Sequence, residues 1–188
     1  MAEAARRAVF LDRDGTIVED PGFLHEPAKV RLLPGAAEGI RRLNQAGWLV
    51  ITVSNQSGIA RGLYDAAAYS AVQRCLAELL AGQDARLDAA YFCPHHPDFT
   101  GACECRKPGL KLFRDAQVAL GLDLNQCRWV GDRLIDVEPA RKLAGGKAGR
   151  AFLVETGRGV MYVGKARALG LAVVADLAAA AEAIVRDA

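Results

Sequence analysis

Short apolar runs alternate with amphipathic segments along this chain. The runs that predict strands are bounded by turn-forming or charged residues and cover positions 8–11, 48–54, 89–92, 128–130 and 151–154. Apolar positions at helical spacing predict helices over 36–46, 65–80, 110–120, 137–143 and 176–185. Strands that alternate with helices form a parallel sheet, because right-handed crossovers lay the helices on both faces. The pattern therefore predicts an α/β fold with an open, Rossmann-like parallel sheet.

The apolar pattern also predicts which side chains are buried on the helix over 65–80 and at two cysteines. The apolar face of that helix consists of Tyr69, Val72, Leu76, Leu79 and Leu80. Cys75 and Cys127 both lie in apolar-periodic segments. We expect them to be buried as small hydrophobic residues.

The length and composition indicate one globular domain. The chain has 188 residues, of which 52% are hydrophobic and 24% charged, which is typical of a soluble protein with a single core. No linker, repeat or low-complexity tract divides it, and the insertions after the first and third strands are short. We therefore predict a single domain over 1–188 without a separate cap domain.

The balance of charges limits the partners. Lys and Arg number 24 against 22 Asp and Glu, for a net charge of +2, so neither a nucleic acid nor a membrane surface is an expected partner. No apolar stretch approaches the roughly 20 residues of a membrane span, and no export signal is visible. We expect a cytoplasmic monomer that binds a small molecule.

Carboxylates follow two of the predicted strands. Asp12 and Asp14 come directly after the first strand, and Asp132 follows the fourth. Ligands of open α/β sheets bind beyond the carboxyl ends of the strands, where crowded carboxylates repel one another unless they share a cation such as Mg²⁺. An isolated Asp-x-Asp pair more often caps a turn. The third carboxylate favours a Mg²⁺ site, which Asp136, one helical turn later, could support.

Two further strand ends offer groups that bind an anionic oxygen. Ser54 supplies a hydroxyl after the second strand, and the turn over 55–58 supplies backbone N–H groups. Lys107 supplies a positive charge after the third strand. Each has an ordinary alternative, a helix cap for Ser54 and a solvated surface charge for Lys107. Two acids, a hydroxyl and a cation at four strand ends together indicate phosphoryl transfer.

A cluster of cysteine and histidine lies between the third strand and Lys107. It contains Cys93, Cys103 and Cys105 beside His95 and His96. In a chain with five cysteines and no export signal, such a cluster indicates metal binding rather than disulfides. Three thiolates and one imidazole complete a closed tetrahedral zinc site. The alternative, a redox cluster, lacks a Cys-x-x-Cys pair.

These motifs resemble those of the haloacid-dehalogenase-type phosphatase superfamily. The segments that carry the resemblance are 10–17, 54–62, 93–97 and 103–108, and the likeness spans about residues 8–157. Within the superfamily, the segments are similar to phosphatases of heptose 1,7-bisphosphate. The resemblance implies a Mg²⁺-dependent hydrolase with a structural Zn²⁺ in a loop over 93–105, acting on a small sugar phosphate through an aspartyl-phosphate intermediate.

The resemblance also implies a role for each matching residue. Asp12 would be the nucleophile and Asp14 the general acid and base. The Mg²⁺ ligands would be Asp12, the backbone carbonyl of Asp14, and Asp132. Ser54 and Lys107 would hold the phosphoryl group. The substrate would be bound by Asp20, Pro21, Gly22, Phe23, Asn55, Gln56, Ser57, Arg106 and Arg133. The family's Cys-x-His pattern selects His95, with Cys93, Cys103 and Cys105, as zinc ligands and leaves His96 exposed.

Two other functions stay open at the level of the sequence. The stretches 107–111 and 131–133 also resemble histidinol-phosphate phosphatases, which would change the substrate. A function of a different class is a non-catalytic, zinc-stabilised module that binds a phosphate ligand. An enzyme is favoured over that module by the presence of Asp12, Asp14, Ser54, Lys107 and Asp132.

Overall fold

The computed structural model describes residues 6–145 and 150–187. Its strands are β1 (Ala8–Leu11), β2 (Leu49–Asn55), β3 (Ala89–Cys93), β4 (Arg128–Gly131), β5 (Ala151–Val154) and β6 (Ala172–Val174). Its α-helices are α1 (Ala36–Gln45), α2 (Ala66–Ala81), α3 (Pro97–Thr100), α4 (Lys111–Leu120), α5 (Leu134–Leu143), α6 (Val163–Ala168) and α7 (Leu177–Arg186). Residues 1–5, on which the expectation about an export signal rests, lie outside the described residues.

The six strands form one parallel sheet in the order β3-β2-β1-β4-β5-β6. The chain moves outward from β1 to β3, crosses back to β4 beside β1, and then moves outward to β6. This reversal creates a crevice beyond the carboxyl ends of β1 and β4, where such sheets bind ligands. The predicted open parallel sheet is confirmed.

Hydrophobic cores lie on both faces of the sheet, because alternate residues of each strand point to opposite sides. Val9 and Leu11 of β1 join one core with residues of α1, α2 and α7. Phe10 joins the other core with residues of α4 and α5. There its ring meets Phe113 edge-on at 5.1 Å between centroids and lies 5.4 Å from Trp129. The two cores fix the strand ends that carry the polar residues.

Several details differ from the sequence prediction. Helix α6 and strand β6 were not predicted. Strand β6 is a three-residue edge strand whose side chains are only half-buried. Helix α5 begins three residues earlier than predicted, since the Asp136 carboxylate accepts a hydrogen bond from the Arg133 backbone N–H at 3.0 Å and caps its first turn.

No described helix is long and apolar enough to cross a membrane.

The predicted burial of two side chains on α2 was wrong. Leu79 is 39% exposed, because Val72, Leu76 and Leu80 already fill the stripe that faces the core. Cys75 is only half-buried and its thiol lies 3.5 Å from the carbonyl oxygen of Pro27. Cys127 is fully buried, as predicted.

Candidate active site

Three carboxylates meet at the crevice between β1 and β4. Asp12 follows β1, Asp132 follows β4, and Asp136 lies in the first turn of α5; all three are buried. Oxygen atoms of the three side chains lie within 4.8 Å of one another. Buried carboxylates at this separation repel strongly, so the group requires positive charge. The structure thus brings Asp136 to Asp12 and Asp132, the position at which the sequence suggested that it supports a metal site.

Lys107 supplies part of that charge. Its Nζ lies 2.6 Å from Oδ1 of Asp12 and 2.7 Å from Oδ1 of Asp136, and it also donates to the carbonyl oxygen of Val53. Burial by itself would lower the pKa of Lys107, but the two carboxylates outweigh it and raise the pKa to about 12. Lys107 is therefore a buried, permanently charged ammonium group that touches the proposed nucleophile.

Asp132 retains an oxygen with no partner. Its Oδ2 accepts a hydrogen bond from the Arg158 backbone N–H at 2.8 Å, whereas its buried Oδ1 has no hydrogen-bond partner among the described residues. Burial, and next the charge of Asp12, raise the pKa of Asp132 to about 7. An orphaned carboxylate oxygen beside a second carboxylate fits a hard cation such as Mg²⁺. Asp12 and Asp132 would hold the ion.

Gly15 lets the first loop approach this centre closely. Its φ is +86°, and a Cβ there would collide with Oδ2 of Asp132. Its carbonyl oxygen accepts a hydrogen bond from the Thr156 hydroxyl at 2.7 Å. The loops after β1 and β5 are thereby joined across Asp132.

Asp14 lies in a separate hydrogen-bond network. The guanidinium of Arg13, which is fully buried, donates from Nε and Nη2 to the Asp14 carboxylate at 3.0–3.1 Å. Gln56 donates from Nε2 to the same carboxylate at 2.9 Å, and Tyr64 donates to Gln56 Oε1 at 2.6 Å. Burial raises the pKa of Asp14, while the adjacent Arg13 opposes the shift. Asp14 is thus held firmly beside the crevice and is biased toward its protonated form.

Asn55 ties the end of β2 to Lys107. Its side-chain amide donates to the Lys107 carbonyl oxygen at 3.1 Å and accepts from the Lys107 backbone N–H at 2.9 Å. Ser54 is buried, and its Oγ accepts a hydrogen bond from Gln56 Nε2 at 3.2 Å. These contacts bring together the strand-end residues that the sequence singled out after β2 and β3.

A cavity of about 290 Å³ opens above the carboxylates. Of the predicted site residues it is lined by Asp12, Asp14, Asp20, Gly22, Phe23, Asn55, Gln56, Ser57, Arg106, Lys107 and Arg133. Ser54, Pro21 and Asp132 do not line it. Four carboxylates and five cationic side chains line the cavity, and the cations Arg61, Arg106, Lys107, Arg133 and Arg158 are the groups that an anionic ligand could contact.

Sequence reasoning missed four polar residues that line this cavity: Arg61, Tyr64, His96 and Arg158. Arg158 could have been found by applying the strand-end rule to β5 as well as to the first four strands. Arg61 lies within the segment 54–62 that carried the family resemblance. Tyr64 gave no signal of its own, because its position depends on how the chain turns after Gly58.

Arg61 connects two loops at the rim of the cavity. Its guanidinium lies 5.8 Å from the ring centroid of Phe23 and 4.7 Å from that of Phe99, and its Nη2 lies 3.1 Å from Nε2 of His96. These contacts leave the His96 side chain only 18% exposed, so the expectation of an exposed His96 was wrong. The segment after Asp20 and the cysteine-containing loop meet on this arginine.

The cysteine-containing loop holds four potential ligand atoms in a compact group. The thiol of Cys105 lies 3.1 Å from that of Cys93, 3.5 Å from that of Cys103 and 3.3 Å from Nδ1 of His95. Zinc–sulfur and zinc–nitrogen bonds of about 2.3 and 2.1 Å give tetrahedron edges of about 3.6–3.8 Å, close to the separations of 3.1–3.8 Å among these four residues. The four atoms therefore fit a zinc ion, and Arg106 and Lys107 follow directly after the last of them. His95, not His96, belongs to the group.

No family model matches this chain, but individual proteins resemble it along most of its length. It is 40% identical over 158 residues to D-glycero-beta-D-manno-heptose-1,7-bisphosphate 7-phosphatase of Photorhabdus laumondii, covering 81% of this chain and 82% of that protein. With the protein of the same name from Pseudomonas aeruginosa the identity is 38% over 183 residues, covering 97% of this chain and 99% of that protein.

A solved structure is similar to this chain in both fold and sequence. It is the crystal structure of D,D-heptose 1,7-bisphosphate phosphatase from B. bronchiseptica complexed with magnesium and phosphate, with a TM-score of 0.84 and 38% identity over 97% of this chain and 99% of that chain. The fold and the site together thus define a phosphatase of the haloacid-dehalogenase type. Because the identity extends along nearly the whole of both chains, this chain belongs to the D-glycero-beta-D-manno-heptose-1,7-bisphosphate 7-phosphatase family.

Proposed function

We propose that the protein is a Mg²⁺-dependent phosphatase that removes the 7-phosphate of D-glycero-D-manno-heptose 1,7-bisphosphate. The names of the relatives support this substrate. The observation that carries the chemistry is the contact between Asp12 and Lys107 at 2.6 Å beside the orphaned oxygen of Asp132. A phosphate monoester resists attack because its charges repel a nucleophile, so a site that hydrolyses it must first neutralise those charges.

Asp12 is the nucleophile in this proposal. Its carboxylate oxygen attacks phosphorus in line with the leaving oxygen, which forms an aspartyl phosphate and breaks the bond to the sugar oxygen. Lys107 and Ser54 hold the phosphoryl oxygens. Asp12, Asp132 and the backbone carbonyl of Asp14 would hold Mg²⁺, which would supply positive charge beside the phosphoryl group. Water then hydrolyses the aspartyl phosphate and restores the Asp12 carboxylate.

Asp14 moves the proton in both half-reactions. In its neutral form it gives a proton to the departing sugar alkoxide, and the resulting carboxylate then takes a proton from the attacking water. The first role requires a protonated acid, which is favoured by the burial that raises the Asp14 pKa. The second follows without any other group, because the first step leaves Asp14 ionised.

The cavity wall holds the part of the substrate that is not transferred. We assign the binding of this part to Arg106 and Arg133, with the segments Asp20 to Phe23 and Asn55 to Ser57. The Arg106 Nη1 donates to the carbonyl oxygen of His95 at 3.2 Å, which fixes the guanidinium beside the cavity. A planar guanidinium suits the phosphate that is not transferred.

Zn²⁺ has a structural role in this proposal. Cys93, His95, Cys103 and Cys105 would fill all four positions of the ion, so none is left for water. The ion would shape the loop over 93–105 within a single domain that spans 1–188. The thiolate ligands are stable in a reducing compartment, and we assign the protein to the cytoplasm, as a monomer.

The test is a side-by-side measurement of turnover on heptose 1,7-bisphosphate, fructose 1,6-bisphosphate and histidinol phosphate. We expect the heptose substrate to have the highest kcat/KM, by at least about tenfold. Preference for histidinol phosphate would replace the substrate but leave the chemistry in place. No Mg²⁺-dependent phosphate release from any of the three would refute the catalytic proposal in favour of a binding module.

A further inference from the structure

Tyr64 lies at the end of a chain of hydrogen bonds that begins at Asp14. Its hydroxyl is 2.6 Å from Gln56 Oε1, and Gln56 Nε2 is 2.9 Å from Asp14 Oδ2. Tyr64 therefore reaches the proposed general acid through one intervening side chain. Tyr64 lies between the segments 54–62 and 93–97 and so belongs to none of the segments that carry the family resemblance.

The direction of these hydrogen bonds is fixed by chemistry. The Gln56 amide nitrogen faces two acceptors, the Asp14 carboxylate and the Ser54 hydroxyl oxygen. Its amide oxygen faces Arg13 Nη2 at 3.3 Å and the Tyr64 hydroxyl. A flipped amide would place its nitrogen against the guanidinium, which can only donate. Tyr64 is therefore the donor.

The surroundings hold the Tyr64 ring in this position. The His25 ring stacks on it with centroids 5.3 Å apart and an interplanar angle of 6°. On the backbone of the turn after β2, a Cβ at Gly58 would collide with Cε1 of Tyr64, so only glycine lets the ring lie there. Burial raises the pKa of Tyr64 to about 12, which keeps its hydroxyl protonated.

We propose that Tyr64 is a positioning residue that, through Gln56, holds the Asp14 carboxyl where it exchanges a proton with the leaving oxygen. The inference rests on the proposed function, in which Asp14 is the general acid. Without the Tyr64 hydroxyl, Gln56 Oε1 retains only the longer contact to Arg13, and the Gln56 amide is free to turn away from Asp14. Loss of the Tyr64 hydroxyl should therefore slow proton transfer and leave substrate binding unchanged.

The variant Tyr64→Phe removes one oxygen atom and keeps the ring. We expect kcat/KM for heptose 1,7-bisphosphate to fall about 5- to 10-fold through kcat, as for the loss of one hydrogen bond, with KM within about twofold. The kcat/KM for 4-nitrophenyl phosphate should change by less than about twofold, because 4-nitrophenolate leaves without a proton. Tyr91→Phe, on β3 outside the cavity, is the matched control and should match the wild type.

A double-mutant cycle separates this role from a general loss of structure. Gln56→Met should give the same dependence on the leaving group, and adding Tyr64→Phe to it should cost less than about twofold more, because the two side chains act through one contact. Equal losses on both substrates, a rise in KM alone, or no change in Tyr64→Phe would each overturn the role of Tyr64.

The structural readout distinguishes failure of the inference from failure of the proposed function. If the wild type prefers another alkyl phosphate, the substrate assignment fails and the kinetic comparison is made with that phosphate. If it hydrolyses none, the proposed function fails. A crystal structure of Tyr64→Phe then shows whether the Tyr64 hydroxyl holds Gln56 against Asp14. We expect the Gln56 amide to have left Asp14 in that structure; an unchanged contact near 2.9 Å would overturn the inference.

Discussion

At the scale of single residues, the site separates two carboxylates that are only two positions apart. Asp12 is in contact with the ammonium of Lys107, whose Nζ lies 2.6 Å from Oδ1 of Asp12. Asp14 is turned toward Arg13 and Gln56, and burial raises its pKa. Different surroundings thus suit one carboxylate to nucleophilic attack and the other to proton transfer.

Asp12→Asn should abolish turnover while the protein stays folded. An amide oxygen is a poor nucleophile, so we expect less than about 1% of wild-type kcat. Steady-state kinetics and the melting temperature provide the two measurements. Asp115→Asn, at a carboxylate exposed on α4 and paired with Lys111, is the matched control and should keep full activity. Substantial turnover by a folded Asp12→Asn would remove this residue from the nucleophilic role.

Arg106→Ala should penalise the bisphosphate more than a simple ester. If Arg106 contacts the phosphate that stays, kcat/KM for heptose 1,7-bisphosphate should fall at least about tenfold, or about 1.4 kcal/mol of transition-state binding. The loss on an aryl phosphate should be smaller. Arg114→Ala, at an exposed arginine on α4, controls for the loss of charge. Equal losses on the two substrates would mean that Arg106 serves the transferred group or the loop.

At the scale of elements, the cysteine-containing loop joins β3 to Lys107. Cys93 ends β3, Cys105 is the last potential zinc ligand, and Lys107 follows two residues later. The Asn55 side chain then holds the Lys107 backbone from the side of β2. A metal in the loop would therefore act on catalysis through the placement of Lys107, without touching the substrate.

Cys105→Ser should release zinc and reduce activity together. We expect about one zinc per chain in the wild type purified without added metal, and far less in the variant, since such sites contribute roughly 10–16 kcal/mol of binding energy in zinc-finger peptides. Elemental analysis measures the zinc content and steady-state kinetics measures the activity, while the melting temperature shows whether the variant stays folded. Cys75→Ser, at the half-buried cysteine on α2, should keep zinc and activity. A zinc-free yet fully active wild type would contradict the structural role.

The elements also show what the sequence can predict. The apolar runs predict β1, β2, β4 and β5 because these strands are buried inside the sheet. The edge strand β3 is only half-buried but keeps an apolar run of four residues. The polar residues after these strands converge because parallel strands end at the same edge of the sheet. The edge strand β6 is too short and too exposed to leave a pattern. The partners of Asp14 depend on how separate loops fold over one another, so Tyr64 could not be predicted.

At the scale of the whole molecule, the acidic centre makes stability depend on pH. Burial raises the pKa of Asp132 to about 7 and that of Asp136 to about 6, both above the ordinary value of 3.8. The folded protein then binds these protons more tightly than the unfolded chain. Without metal, the two groups therefore reduce the free energy of unfolding progressively as pH rises from about 4 to about 7.

Mg²⁺ should reverse this loss, because it competes with the same protons. We expect the rise in melting temperature caused by Mg²⁺ to be larger at about pH 8 than at about pH 5.5. Thermal unfolding with and without Mg²⁺ at the two pH values measures it. Asp132→Asn should lose most of the Mg²⁺ effect at both. An equal rise at the two pH values in the wild type would argue against a metal held by these carboxylates.

Phosphorylation of Asp12 during turnover can be detected by borohydride trapping. Protein mixed with Mg²⁺ and substrate is treated with borohydride, which reduces an aspartyl phosphate to homoserine, and is then digested with trypsin. Cleavage after Arg7 and Arg13 gives the peptide 8–13, in which Asp12 is the only carboxylate side chain, while Asp14 enters the next peptide. We predict a peptide 8–13 that is about 14 Da lighter, dependent on substrate and missing in Asp12→Asn. The same mass change in the peptide that carries Asp14, or in neither peptide during turnover, would contradict the account.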